Sequence, residues 1–289
     1  MNRRRFLTLT ACALATPAGA ASVADWQGTG FGAALSLRLI GGDAHRARRT
    51  FRRVEAEVAR IEALFSLHRE SALTRLNRDG RLGWPSPDFR DVMALCGRAH
   101  AATGGAFDPT VQPLWLAAAE GRDPAALGDV VGWDRVRVTE EEIRLSPGQA
   151  LTFNGVAQGW AADRIAALLR GEGYGDALID MGEVQALGHR QDGRDWSAAI
   201  AAADGARLGE VSLSNRALAT SSPSGTLIGA GRAHILGPAG QVPRWSTVSV
   251  SAPEAAVADA LSTAFCLMDR PAIDAALTAF PGARVEILV

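Results

Sequence analysis

The apolar pattern of this chain changes its period partway along, and that change sets the fold class. In "AHRARRTFRRVEAEVARIEALFS", residues Phe51, Val54, Val58, Ile61 and Leu64 recur at helical spacing, and Asp43 stands where an N-cap belongs. "DFRDVMALCGRAHAATG" predicts a second helix ending at Gly104, and "TVQPLWLAAAE" a third. The stretch 121–132 is polar and reads as a loop, and a further helix opens at Asn154-Gly155 and runs to Arg170. "FGAALSLRLI" alternates and reads as an early strand. Beyond Arg170 the signal shortens. "DALIDMG", "WSAAIAA", "RLGEVSLS", "ALATS", "RAHILG" and "WSTVSVSA" are brief apolar runs bounded by Gly, Pro or Asp and predict strands. "PEAAVADALSTAFCLM" and "PAIDAALTAF" return to helix, and "ARVEILV" predicts a last strand. Helices and strands do not alternate strictly, so the expectation is an α+β fold, with mixed sheets flanked by helices, rather than a doubly wound sheet.

Composition narrows the function classes. Hydrophobic residues make up 47% of the 289 residues, enough for a sizeable core, and the net charge of −1 argues against nucleic acid as a partner. There is no Lys, so every basic side chain is Arg or His. Residues 1–20 read as a cleaved export signal, leaving 21–289 as the working domain. Arg3, Arg4 and Arg5 precede Phe6-Leu7, an apolar run follows, and Ala18-Gly19-Ala20 supplies the cleavage pattern. The paired Arg fits the twin-arginine route, which predicts a periplasmic location. The rival reading is a lipoprotein box at "LTAC", anchored through Cys12, although the apolar run after Arg5 is short for it. Cys96 and Cys266 lie in apolar helical stretches and read as buried thiols, with one disulfide as the alternative.

Several short stretches have chemical potential, and each also has a plainer reading. Asp259 and Thr263 in "ADALSTAF" are four apart on a helix, so a carboxylate and a hydroxyl share one face, as a hard cation requires. The plain alternative is a helical Asp and a Thr bonded to its own backbone. Asp108-Pro109 in "GGAFDPTVQPLW" reads as a capped helix start. "ALATSSPSG" suits a polar loop or a phosphate contact. His234 lies in or beside a strand, and Glu183 follows Gly182 at a strand end. In "TFNGVAQGWAADRI", Gly155, Gln158 and Gly159 fall in the first turn of a helix, where a plain helix prefers better formers. Glycine there admits a close neighbour, and the N–H groups of a first turn attract an anion.

"SLHRESALTRLN", "GGAFDPTVQPLW", "NGVAQGWAADR", "ALIDMGEVQALG", "ALATSS", "RAHILGP" and "VADALSTAF" follow one another as they do in the ApbE family. From about Gly28 to the C-terminus the chain resembles that family, the FAD:protein FMN transferases. "NGVAQG", "DMGEVQALG" and the twin-arginine start look more like its NosX branch, associated with nitrous-oxide reductase maturation. The resemblance implies Mg²⁺-dependent cleavage of the FAD pyrophosphate and attachment of FMN, by a phosphoester, to a Thr of a membrane-linked electron-transfer protein, NosR-like in that branch. It implies metal ligation by Asp259, Thr263 and the backbone of Gly155, and acceptance of the hydroxyl proton by His234. It places Phe31, His68, Ala106, Phe107, Asp108, Thr152, Gln158 and Ile235 at the flavin nucleotide. Two departures stand out. Gln158 replaces the family's usual Lys, and "HILGPAG" has Gly237 where the family has Asp. The alternatives are a protein that only binds or hydrolyses FAD, and a non-catalytic assembly factor for a copper reductase.

Overall fold

The computed structural model describes residues 22–289, so the signal read over 1–20 lies outside the described residues. Its strands are β1 (Val23–Gly30), β2 (Ala33–Ile40), β3 (Arg81–Gly83), β4 (Arg137–Val138), β5 (Glu142–Arg144), β6 (Ala177–Asp180), β7 (Val184–Leu187), β8 (Trp196–Ala201), β9 (Arg207–Leu213), β10 (Arg216–Ser221), β11 (Leu227–Ile228), β12 (Arg232–Ala233), β13 (Val248–Ala252) and β14 (Arg284–Leu288). Its helices are α1 (Ala44–Phe65), α2 (Ala72–Asp79), α3 (Pro87–Ala102), α4 (Gln112–Ala119), α5 (Ala157–Gly171), α6 (Ala255–Phe265) and α7 (Arg270–Leu277). The α+β class holds. The main sheet has the order β1-β2-β6-β7-β10-β13-β14, and each neighbouring pair in it is antiparallel, so the sheet is not mixed in strand direction.

Alternation along the strands decides which face meets the helices. Leu35, Leu37 and Leu39 of β2 point into the principal core with Val54, Val58 and Ile61 of α1, while Ile40 and Leu178 turn to a smaller cluster under the β8–β9 hairpin. Asp43 caps α1 as its position predicts, accepting the Arg46 N–H at 2.8 Å. Helix α6 is buried on almost every side. Its small residues, Ala255, Ala256, Ala258, Ala260 and Ala264, let the sheet, α3 and α5 close around it. No helix among the described residues is long and apolar enough to cross a membrane.

Three local expectations need correction. Val23–Gly30, not anticipated as a strand, pairs along the whole of β2 through the two-residue turn Phe31-Gly32, both left-handed at φ 52° and 73°. The "RAHILG" strand shrinks to Arg232–Ala233, because the His234 N–H leaves the ladder for the Pro223 carbonyl. Helix α5 begins at Ala157, so Gly155 stands ahead of the first turn rather than within it. Cys96 and Cys266 are buried and free, and burial raises both thiols, Cys266 to about 12.

Candidate active site at the seam between α5 and α6

The approach to α5 is pinned from both sides. Asn77 of α2 grips the Leu151 backbone, its amide donating to the carbonyl at 2.8 Å and its oxygen accepting the N–H at 2.7 Å. Two residues on, Phe153 packs against Phe65 and Phe89, with all three ring centroids 5.5 Å apart. Between these anchors the Thr152 N–H donates to the Pro109 carbonyl at 2.9 Å, which joins the "NGVAQG" and "FDPT" stretches. Asn154 is left exposed and Gly155 half-buried at the helix mouth.

Gly159 explains itself at the seam. A β-carbon there would lie 2.3 Å from the Ala255 carbonyl oxygen, so the two helices meet backbone to backbone. Asp259 is 3% exposed, and its Oδ2 accepts the Gly159 N–H at 3.1 Å. One amide of the α5 first turn is thus already directed at a carboxylate of this chain. Asp163, one turn further along α5, caps α6 from outside by accepting the Ala255 and Ala256 N–H groups at 2.8 and 2.9 Å. Burial pushes the Asp163 carboxyl up to about 6, against the lowering effect of those two bonds.

At the solvent end of the seam the oxygens converge. A β-carbon on Gly155 would lie 2.8 Å from Thr263 Oγ1, so the Gly155 backbone lies directly against that hydroxyl. Ser221, at the end of β10, is 3.4 Å from Thr263 Oγ1 and 2.8 Å from the Ser262 hydroxyl. Among the described residues no group of three or more His, Cys, Asp or Glu could hold a metal. What α6 and Gly155 offer instead is one carboxylate with neutral oxygens, a set that fits a hard cation whose other positions are filled by phosphate and water. The sequence marked Asp259, Thr263 and Gly155 for this place; Ser221 and Ser262 were legible only as members of hydroxyl-rich stretches.

Gln158 faces a different neighbour. A β-carbon on Gly182, whose φ is +100°, would meet the Gln158 amide at 2.3 Å, so this side chain lies across the β6–β7 turn. Glu183 in that turn is buried, and its Oε2 accepts the Thr220 N–H at 3.2 Å, next to Ser221. His234 follows β12. Its Nδ1 lies 2.9 Å from the Pro223 carbonyl and 3.1 Å from that of Thr226. Two acceptors there require Nδ1 to hold the proton, which makes Nε2 the basic nitrogen of the neutral ring. The altered block after it is a closed turn. Gly237 is buried, its N–H donates to the Gln241 carbonyl at 3.2 Å, and a β-carbon on it would lie 2.4 Å from Gln241 Oε1. An Asp has no room there while Gln241 keeps this position.

The remaining expected residues are more dispersed. Asp108 is buried and caps the turn after it. Its Oδ1 accepts the N–H and hydroxyl of Thr110 at 2.8 and 2.6 Å, and its Oδ2 the Trp133 N–H at 3.3 Å. Phe107 and Ile235 pack into the core, and Ala106 lies half-buried beside it. Phe31, held by its N–H to Glu62 Oε1 at 3.1 Å, and the exposed His68 sit near the C-terminal end of α1. A cleft of about 820 Å³ between α2, α4 and β5 is lined by Arg78, Arg122 and Arg144, and by none of the expected site residues.

The chain is similar to known proteins over most of its length. A family model described as the ApbE family matches residues 31–286. An FAD:protein FMN transferase of Klebsiella pneumoniae is 30% identical over 210 residues, which cover 64% of this chain and 58% of that protein. One from Salmonella typhimurium is 27% identical over 194 residues, 60% of this chain and 55% of that protein. The chain therefore spans less than 60% of the length of these curated relatives. Among solved structures, the flavin transferase ApbE of Vibrio cholerae superposes with a TM-score of 0.79 at 21% identity, covering 92% of this chain and 93% of that one. The apo flavinyl transferase ApbE of Pseudomonas stutzeri does so with a TM-score of 0.79 at 24% identity, covering 91% and 90%. These superpositions establish the fold.

Proposed function

The chain belongs to the ApbE family, and from that premise we propose that it is an FAD:protein FMN transferase. The observation that carries the reading is the convergence of Asp259, Thr263 and the Gly155 backbone at the mouth of α5. Those oxygens would hold Mg²⁺, which when bound neutralises the charge of the FAD pyrophosphate. The accepting Thr hydroxyl attacks the phosphorus on the FMN side. A phosphoester bond forms, the bond between the two phosphates breaks, and AMP departs with the bridging oxygen. His234 Nε2 takes the hydroxyl proton, with Nδ1–H fixed by the Pro223 and Thr226 carbonyls so that the ring presents its basic nitrogen. Thr152, just ahead of Gly155, and Gln158, lying across the β6–β7 turn, would contact the flavin nucleotide from either side of that mouth. Phe107, Asp108 and Ile235, being buried, would act on the nucleotide through their backbone or by shaping the wall.

The further reading is an exported enzyme. Residues 1–20 direct twin-arginine export to the periplasm, and the acceptor is a membrane-linked, NosR-like protein of the nitrous-oxide reductase system. The motivation is the Arg3-Arg4 pair and the NosX-like blocks. Incubation of residues 21–289 with FAD, Mg²⁺ and a candidate acceptor should release AMP and add the mass of the FMN phosphoester to the acceptor. AMP release without acceptor labelling would mark an FAD hydrolase, and release of neither an assembly factor. Replacing Arg3 and Arg4 by Lys should abolish periplasmic accumulation, and undiminished export would remove that part of the reading.

A further inference from the structure

Three hydroxyls stand in file behind the mouth of α5. Thr263 Oγ1 lies against the Gly155 backbone, Ser221 Oγ is 3.4 Å from it, and Ser262 Oγ is 2.8 Å from Ser221. Ser262 then donates at 3.0 Å to the carbonyl of Asp259. Thr263 is half-buried at the open end, and the two serines behind it are buried, so bulk water offers them no other partner.

Each hydroxyl has one proton to give, and a carbonyl has none. The far end of the file is therefore fixed. Ser262 gives its proton to the Asp259 carbonyl, so toward Ser221 it can only accept. The Ser221 proton goes to Ser262, so toward Thr263 it too can only accept. Thr263 is then the donor, and all three contacts are satisfied in this order alone. The nearby thiol leaves the order intact, because Cys266 Sγ donates to the backbone carbonyls of Ser221 and Ser262, at 3.8 and 3.3 Å, and not to their hydroxyls. The Asp259 carbonyl is also four residues before Thr263, where a helical Thr ordinarily sends its proton, and Ser262 occupies it instead.

With its proton turned toward Ser221, the Thr263 oxygen keeps its lone pairs for a cation. The opposite orientation would set a positive hydrogen between oxygen and metal. We infer that Ser221 and Ser262 are positioning residues, which hold the Thr263 hydroxyl in the one proton orientation that binds Mg²⁺. The inference rests on the reading of Thr263 as a metal ligand, and it adds a requirement that the Asp259–Thr263 spacing does not contain. Asp259 takes part twice, as the proposed ligand through its carboxylate and as the end of the file through its carbonyl.

The test follows FAD binding by flavin fluorescence anisotropy over a range of Mg²⁺ concentrations, read on mixing and before AMP release. In the parent, Mg²⁺ should tighten FAD binding, and Thr263→Val should move the midpoint of that response to higher Mg²⁺. Ser221→Ala should move it about tenfold, as loss of a partner behind a metal ligand does. Ser262→Ala should move it at least as far, because the Ser221 proton, left without its acceptor, turns onto Thr263. FAD affinity without Mg²⁺ should stay at the parent's value in both serine variants. In a Thr263→Val background both shifts should disappear, since no hydroxyl remains to be oriented. Shifts that persist there, or an equal loss of FAD affinity without Mg²⁺, mark a general loosening of the seam and overturn the inference. A Ser262→Ala midpoint equal to the parent's overturns it as well. If Thr263→Val weakens the response and both serine variants leave it intact, the inference falls alone. A parent whose FAD affinity ignores Mg²⁺ would overturn the metal reading itself, and the inference with it.

Discussion

At the α5–α6 seam, position is fixed by backbone against backbone: Gly159 on Ala255, Gly155 on Thr263, and an Asp259 that is almost wholly enclosed. Across the site, the His234 ring is also held by backbone, but its surroundings are a two-residue ladder, a closed turn and exposed side chains. The difference follows from what each side is proposed to meet. A pyrophosphate is small and highly charged, and it rewards donors that do not reorganise. A macromolecular acceptor brings its own surface, so the side facing it must stay open and be completed on docking. On the proposed reading, one half of the site is finished before substrate arrives, and the other is finished by the partner.

The largest effect should come from the open side. His234→Ala should lower transfer by roughly 10²–10⁴-fold while FAD affinity holds, because proton removal is lost and the seam is untouched. Equal rates in single-turnover assays would mean that the open side only docks. On the closed side, Asp259→Ala should cost roughly 10²–10³-fold and flatten the dependence of AMP release on Mg²⁺ concentration, with Thr263→Val affected less. An unchanged Mg²⁺ dependence would place the metal elsewhere. Gly159→Ala should lower stability by about 3 kcal/mol in denaturant melts, since a carbonyl cannot yield as a flexible side chain can. A loss near zero would show that the seam accommodates a methyl group at Gly159.

The smallest effect is a pH dependence. The Asp163 carboxyl, raised to about 6, binds its proton more tightly folded than unfolded. Its contribution is therefore fully present below its unfolded pKa of about 4 and is lost as pH rises through 6. Relative to Asp163→Asn, the parent should lose about 2 kcal/mol of stability between pH 4 and pH 7. A difference that does not vary with pH would mean that Asp163 stays ionised throughout.

Local signals foretold what local physics decides. The Val54, Val58 and Ile61 stripe, the Asp43 cap and the Asp259–Thr263 spacing each lie within one helix or its first turn, so a short window contains the whole cause. Asp163 had no such signal. It sits in a helix interior, and what makes it a cap is the arrival of α6 at its side. Asp108 was read two ways, as a cap and through the resemblance as a nucleotide contact. The cap is visible in the bonds from Thr110 and Trp133 to its two oxygens, which leaves its backbone for the proposed nucleotide contact. The β1 strand escaped notice because its burial alternates only between exposed and half-buried until Gly30, leaving no strong apolar rhythm to read. Gly159 lies in between: its misfit to a helix was visible, but the partner that demands it is far along the chain.

That separation has a consequence for how the molecule comes into being. The bond from Asp163 to Ala255 spans 92 residues, and seven strands of the chain intervene between the two helices and precede β13, which leads into α6. As the polypeptide grows from its N-terminus, α5 is complete long before its mate exists, and its glycine face must wait uncovered while the strands are made. Closure of the seam is then a late, long-range event, slow by the same loop-closure entropy that slows other distant pairings. A ribosome-stalled or truncated chain ending before α6 lacks Asp259 and Thr263, and on the proposed reading it should bind no Mg²⁺ at the seam.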